Sequence, residues 1–486
     1  MLSLFVFVVL LAAVRATSAG GGPDKIYGVN LGSWLLLEPW MLPQGGRHHT
    51  CIAPLVEISD SAFAQAYPDT VDQIFDGHWS TWFTQEHVDQ LSDFGINTVR
   101  VPLGYWIVEP LVDRQTEFYP RGGLRQLASV IVWLGDPLPD CPFQRRGLQQ
   151  LKTAGIHVIL DHHALPGVQT AGQQFAGRCT SDVQFYTDAN YHRALVWTAV
   201  MTALSHLDPT FGSVFSIQAV NEPIMDANQT PGYGDFQKNF VRVVRAMELA
   251  LGVSVPGTSH FSVSGSANFT IAITSAVNTA STNIFTPEVK SVLEQSVPIL
   301  LSVGHDLGIL SIFDFGQEKA PKLNSREALV TNFMDINWQH NNPANPADAA
   351  IGPQAYDNHL YYSFGGVADA NPTAYMTSIC NLKRVQNDAA VGNTPLWFGE
   401  WALPTQFSAT DDFLYQWADA QKLAYSQGRG WIFWNFRVET SAKAGDLGRQ
   451  WSYLEGVRRG YLTKDPSKLN NPHVCDAYTN NTTPSN

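Results

Sequence analysis

Two glutamates in this sequence stand in settings that suit acid–base chemistry. Glu222 lies between Asn221 and Pro223, and Glu400 lies between Gly399 and Trp401. Each closes a short apolar run, VFSIQAVN at 214–221 and PLWFGE at 395–400, that reads as a buried β-strand. If the two strand ends face each other, the pair matches what cleavage of a glycosidic bond requires. One carboxylic acid protonates the leaving oxygen, and a second carboxylate attacks the anomeric carbon or activates water. The plainer reading is two helix caps or surface acids, but the repeated position at a strand end favours chemistry. The run Asp161-His162-His163 is a third candidate. An adjacent histidine pair suggests metal ligands or a packed core pair. A metal-dependent barrel hydrolase would usually offer His-x-His on its first strand, and that strand has none.

The elements that must position these residues follow a rhythm of helix, Gly-rich turn and apolar strand. Strands are expected at 25–32 (KIYGVNLG), 95–102 (GINTVRVP), 155–163 (GIHVILDHH), 214–221, 297–303 (VPILLSV), 355–361 (AYDNHLY), 395–400 and 430–434 (GWIFW). Helices are expected over 86–94, 146–154 and 191–206. Eight strand–helix units imply an α/β fold, a closed (β/α)8 TIM barrel with loop insertions. Asn30, Arg100, His163, Asn221, Glu222, His359, Glu400 and Trp434 lie toward the C-terminal ends of these strands, the face where barrel enzymes carry their sites. An open doubly wound sheet would show a GxGxxG turn after an early strand, and none is present. Residues 252–282, rich in Ser, Thr, Gly and Asn, read as an insertion over the mouth or side of the barrel. Residues 341–353 read as a loop, and the tail from 470 as polar.

Composition narrows the partner. The chain has 486 residues, with 30 Lys+Arg against 43 Asp+Glu and a net charge of −13. That balance disfavours nucleic acid and anionic membranes. Aromatic residues reach 12%, including 14 Trp, which suits stacking on sugar rings as well as a large core. Residues 4–14 form an apolar run too short to span a bilayer, followed by small residues at 16–19. The expected organisation is a signal peptide over 1–19 and a single barrel domain over 20–486. The five cysteines allow at most two intrachain bridges. Sequons at Asn228, Asn268, Asn480 and Asn481 fit a secreted surface.

The stretches GVNLGSWLLLEPWMLP, HWSTWFTQEHV, GINTVRVPLGYW, ILDHHALPGVQ, AVNEP, DNHLYYSF, WFGEW and WIFWNF together resemble glycoside hydrolase family 5 (cellulase family A), and most of all the fungal exo-β-1,3-glucanases. The resemblance runs from about Ile26 to Gly460. It implies a (β/α)8 barrel that retains anomeric configuration, with Glu222 as acid/base and Glu400 as nucleophile. It further implies that Asn221 bonds the sugar 2-hydroxyl and that Arg100 bonds the nucleophile. Glu38, His163, His359, Tyr361, Phe364 and Trp434 would complete the sugar site, with Tyr361 orienting the nucleophile, Phe364 at the cleft mouth and Trp434 flooring the −1 subsite. No metal or cofactor is implied, and the partner is a β-glucan acted on by a secreted monomer, extracellular or in the cell wall. Two departures weaken the exo-β-1,3 likeness. Residues 170–177 read TAGQQFAG and lack the Asp of a Gly-Phe-Asp-Asn-like stretch, and HALPG replaces the more usual HGAPG. The reading is therefore an exo-β-1,3-glucanase that releases glucose, with a β-1,6-glucanase or a glucan transglycosylase as the alternative.

Overall fold

The computed structural model describes residues 21–43, 59–128, 147–258, 268–279, 283–314, 326–338 and 351–479. Eight parallel strands close into a barrel in sequence order. They are β1 (Ile26–Asn30), β2 (Thr98–Gly104), β3 (His157–Ala164), β4 (Val214–Gln218), β5 (Val330–Met334), β6 (Gln354–His359), β7 (Leu396–Glu400) and β8 (Gly430–Phe433). β8 pairs back onto β1, which removes both sheet edges. The expected (β/α)8 TIM barrel is the observed fold.

One expected strand is a helix. Residues 297–303 lie inside the helix Pro287–Asp306, which Thr286 caps through its side chain and Pro287 opens. Its buried positions, Val289, Val292, Leu293, Ser296, Leu300 and Val303, repeat at helical spacing. The fifth strand is instead VTNFM, a short run whose central Asn332 faces the polar barrel interior rather than the apolar shell.

Period-two alternation explains how this barrel carries a charged site above an apolar floor. Ile26, Ile159, Phe215, Val330, Ala355, Trp397 and Ile432 form one buried cluster drawn from seven strands. Two residues further along the same strands come Asp161 after Ile159 and Asp357 after Ala355, both fully buried. Two further on come His163 and His359. The intervening residues face the helices. His162 stacks on Trp197 of the helix Asp188–Leu207, with ring centroids 3.9 Å apart, and burial drives its pKa down to about 3. The adjacent histidine pair is thus split, one ring in the core and one in the barrel.

Outside the barrel, the described part of 252–282 includes a helix, Phe269–Thr279, packed against the helices Tyr233–Ala250 and Pro287–Asp306. Phe269 packs there against Phe313, ring centroids 5.4 Å apart and planes tilted by 58°, so this helix lies on the barrel's side and not over its mouth. Cys380 and Cys475 are bridged, which ties the C-terminal segment to the helix Pro372–Cys380, and Cys179 is also disulfide-bonded. No helix among the described residues is long and apolar enough to cross a membrane. Residues 1–19, Cys51, Cys141, Asn480 and Asn481 lie outside the described residues.

Candidate active site

Arg100, fully buried in the middle of β2, is the hub of the site. Its guanidinium donates to Glu400 Oε1 (2.9 Å), Asn30 Oδ1 (3.0 Å), Gln218 Oε1 (2.9 Å) and Asn221 Oδ1 (2.7 Å). It also pairs with Asp161 at 3.0 Å and lies 3.8 Å from Asp357. Burial opposes its charge, but Asp161, Glu400 and Asp357 outweigh burial and raise its pKa above the ordinary arginine value. The same cation, with His163, holds Asp161 below the usual carboxylate range despite burial. One planar fork therefore ties β2 to five other strands and fixes the orientation of Glu400.

Glu400 is gripped at both oxygens. Tyr361 donates its hydroxyl to Oε2 at 2.8 Å, and His359 Nδ1 lies 3.5 Å from the same oxygen. The lie of Glu400 depends on Gly399, whose N–H donates to Asp357 Oδ1 at 2.6 Å. A Cβ at that position would sit 2.1 Å from the same oxygen, so only glycine fits. Glu222, just beyond β4, meets His359 Nδ1 at 2.7 Å. One ligand atom each of Glu222, His359 and Glu400 lie within 4.8 Å of one another. Such a trio could hold a metal ion. His359, however, is itself a cation there. Burial opposes its charge, but Glu400, Asp357 and Glu222 together raise its pKa to about 10. A protonated imidazole between the two carboxylates offsets part of their charge.

Burial, aided by Glu222, raises the Glu400 pKa against the pull of His359 and Arg100. Tyr361 is pushed far above its ordinary value by burial and by Glu400, so it remains a donor.

The remaining expected residues line the same mouth. Trp434 and His163 stack at 5.6 Å and 10°. His163 Nδ1 meets Asp161 at 2.5 Å, and its Nε2 lies 3.9 Å from Glu38. Glu38 is buried and accepts from Trp40 Nε1 at 2.9 Å, while its Oε1 has no hydrogen-bond partner among the described residues. Burial raises its pKa to about 7. Phe364 is 77% exposed and meets Tyr361 edge-on, which puts it on the rim. Sequence reasoning missed Asp357, Gln218, Trp40 and Trp451. Asp357 was within reach, since it stands two residues before His359 in one strand. Trp451 packs on Trp40, Tyr361 and Phe364, but it lies 51 residues after Glu400 with no strand to flag it.

A (β/α)8 barrel that gathers two carboxylates, a cationic imidazole and a tyrosine at its C-terminal mouth has the layout of a carboxylate-dependent hydrolase. Known proteins can be set beside it at this point. The chain is 27% identical over 463 residues to a glucan endo-1,6-beta-glucosidase B from Emericella nidulans, covering 93% of this chain and 88% of that protein. It is 30% identical over 237 residues to a probable glucan 1,3-beta-glucosidase A from Aspergillus fumigatus, about half of either chain (49% of each). The crystal structure of rutinosidase from Aspergillus niger is 16% identical, with a TM-score of 0.49 over 90% of this chain and 97% of that one. No protein-family model matches the chain.

Proposed function

We propose that this protein is a secreted, retaining β-glucan hydrolase of glycoside hydrolase family 5, with Glu400 as nucleophile and Glu222 as acid/base. The observation that carries the reading is the approach of Glu222 and Glu400 oxygens to within 4.8 Å. Retaining enzymes set their carboxyls about 5–5.5 Å apart, and inverting ones about 6.5–9.5 Å. In this mechanism Glu222 protonates the leaving oxygen while Glu400 attacks the anomeric carbon. Glu222 then takes a proton from the water, or the sugar hydroxyl, that releases the glycosyl-enzyme. Arg100 and Tyr361 aim the two Glu400 oxygens. The Asn221 amide, its oxygen held by Arg100, serves the sugar 2-hydroxyl. Trp434 supplies the flat face beneath the −1 sugar, with His163 and Glu38 beside it and Phe364 at the rim. The paired cysteines support export, because disulfides persist in oxidising compartments.

The likeness that spans the chain supports one linkage over the other. The relatives matched over nine-tenths of its length bear the name glucan endo-1,6-beta-glucosidase, whereas the 1,3-beta-glucosidases match half. The absence of the Asp expected near Phe175 points the same way. The favoured substrate is accordingly β-1,6-glucan cut internally, ahead of the β-1,3, glucose-releasing mode that the motifs alone suggest. Incubation with pustulan and laminarin side by side, with early products sized by chromatography, separates the two. Oligosaccharides from pustulan support the reading. Glucose from laminarin alone replaces it with the exo-β-1,3 one, and cleavage of neither removes the glucanase assignment.

A further inference from the structure

The backbone of Glu222 is left-handed, with φ of 39°. L-residues other than Asn and Asp leave that region unless their surroundings hold them there. The loop after β3 supplies the hold. Thr170 Oγ1 donates to the Glu222 carbonyl at 2.6 Å, and Gln169 Nε2 donates to the Asn221 carbonyl at 3.1 Å. Both carbonyls flanking the strained residue are thus gripped from one loop. Gln169 is itself fully buried and fully used. Its Nε2 also donates to the His163 carbonyl at 2.7 Å, and its Oε1 accepts from Leu165 N at 3.2 Å. The Tyr186 hydroxyl closes the frame by donating to the Gln169 carbonyl at 3.0 Å and accepting from Ile224 N at 2.8 Å.

We infer that Gln169, Thr170 and Tyr186 are positioning residues that fix the backbone of Glu222 and so set where its proton meets the leaving oxygen. The inference rests on Glu222 being the acid/base. His359 fixes the carboxyl end of the side chain, and this clamp fixes the other end. Loosening it should harm proton donation more than it harms nucleophilic attack, because Glu400 hangs from β7 and Arg100 on the other side of the mouth.

The test uses the full secreted chain and aryl β-glycosides of the linkage selected above, from a dinitrophenol to an unsubstituted phenol leaving group. Thr170→Val should lower kcat about tenfold or more for the phenol, which needs the proton, and less for the dinitrophenol, which does not. KM should change little, and Thr170→Ser, which keeps the hydroxyl, should restore the rate. Tyr186→Phe provides a second, conservative removal should Thr170→Val not fold. Equal losses on both leaving groups would reduce the clamp to general packing and overturn the inference. Glu222→Gln, run beside them, must show the steepest leaving-group dependence of all. If it shows none, the acid/base assignment itself falls, which is a different failure.

Discussion

Replacing His359 by Gln should move the acidic limb of the pH–activity profile to higher pH. In the wild-type protein His359 carries a pKa raised to about 10, so it is a cation throughout the acidic and neutral range. Its Nδ1 stands 2.7 Å from Glu222 and 3.5 Å from Glu400. At an effective dielectric constant of about 20, a unit charge 3.5 Å away stabilises an ionised Glu400 by about 5 kcal/mol. Water in the open mouth screens part of that. Without the cation, two carboxylates with oxygens within 4.8 Å also face each other unshielded, which adds in the same direction. The acidic limb should therefore rise, because Glu400 ionises later. The assay is kcat/KM against pH on an activated aryl glycoside, with thermal melting as the check on folding. An acidic limb that stays in place, or falls, would refute the view of His359 as the local cation. Inhibition of the wild-type protein by EDTA, reversed by a divalent ion, would assign the trio to a metal instead.

Three further outcomes are expected. Glu400→Gln should abolish turnover of every substrate, whereas Glu222→Gln should spare acidic phenol leaving groups and give a burst of phenol, read by stopped-flow absorbance; identical behaviour would remove the division of roles. Gly399→Ala should lower the melting temperature and the activity together, since its Cβ would lie 2.1 Å from the Asp357 carboxylate and overpacking costs about 1–3 kcal/mol; an unchanged melting temperature would contradict it. Asp60, buried beneath the β1 loop, has its pKa raised by burial from 3.8 to about 8. The folded state therefore holds a proton that the unfolded chain releases, and stability falls as pH rises from about 4 to about 8. Asp60→Asn mimics the protonated form, so its melting temperature should exceed that of the wild type by a margin that widens over that range. A margin constant with pH would show that Asp60 is ionised in the fold.

Seven of the eight strands can be read from the sequence because each couples an apolar run to a Gly-rich turn, as at GINTVRVP and GIHVILDHH. β5 hides because VTNFM carries Asn332 at its centre, while the more apolar VPILLSV belongs to a helix whose buried face needs those residues. The carboxylates stand out because they end strands. The polar layer beneath them does not, since Gln218 and Asp357 acquire meaning only when Arg100 reaches across the closed barrel. The His162/His163 ambiguity dissolves on strand alternation alone, which sends one ring outward to Trp197 and the other inward to Asp161. The sign of the Glu400 shift was beyond sequence reasoning, because it depends on burial outweighing a visible arginine.

Backbone strain points to a site set before substrate arrives. Among the described residues, three that are not glycine have positive φ: Ser33, Val168 and Glu222. Each adjoins the mouth. Ser33 Oγ donates to the Glu38 carbonyl and accepts from the Glu38 N–H, both at 2.9 Å, so its strain fixes an acid of the sugar site. Val168 precedes Gln169 and turns the loop that grips Glu222. Such conformations cost about 1–3 kcal/mol each and persist only where neighbours over-determine them. A site that assembled on binding would have no need to hold this strain in the free protein. The barrel stores it at three points around one mouth, with Arg100 tying strands below, and that arrangement favours fixed dipoles and charges over closure as the source of rate.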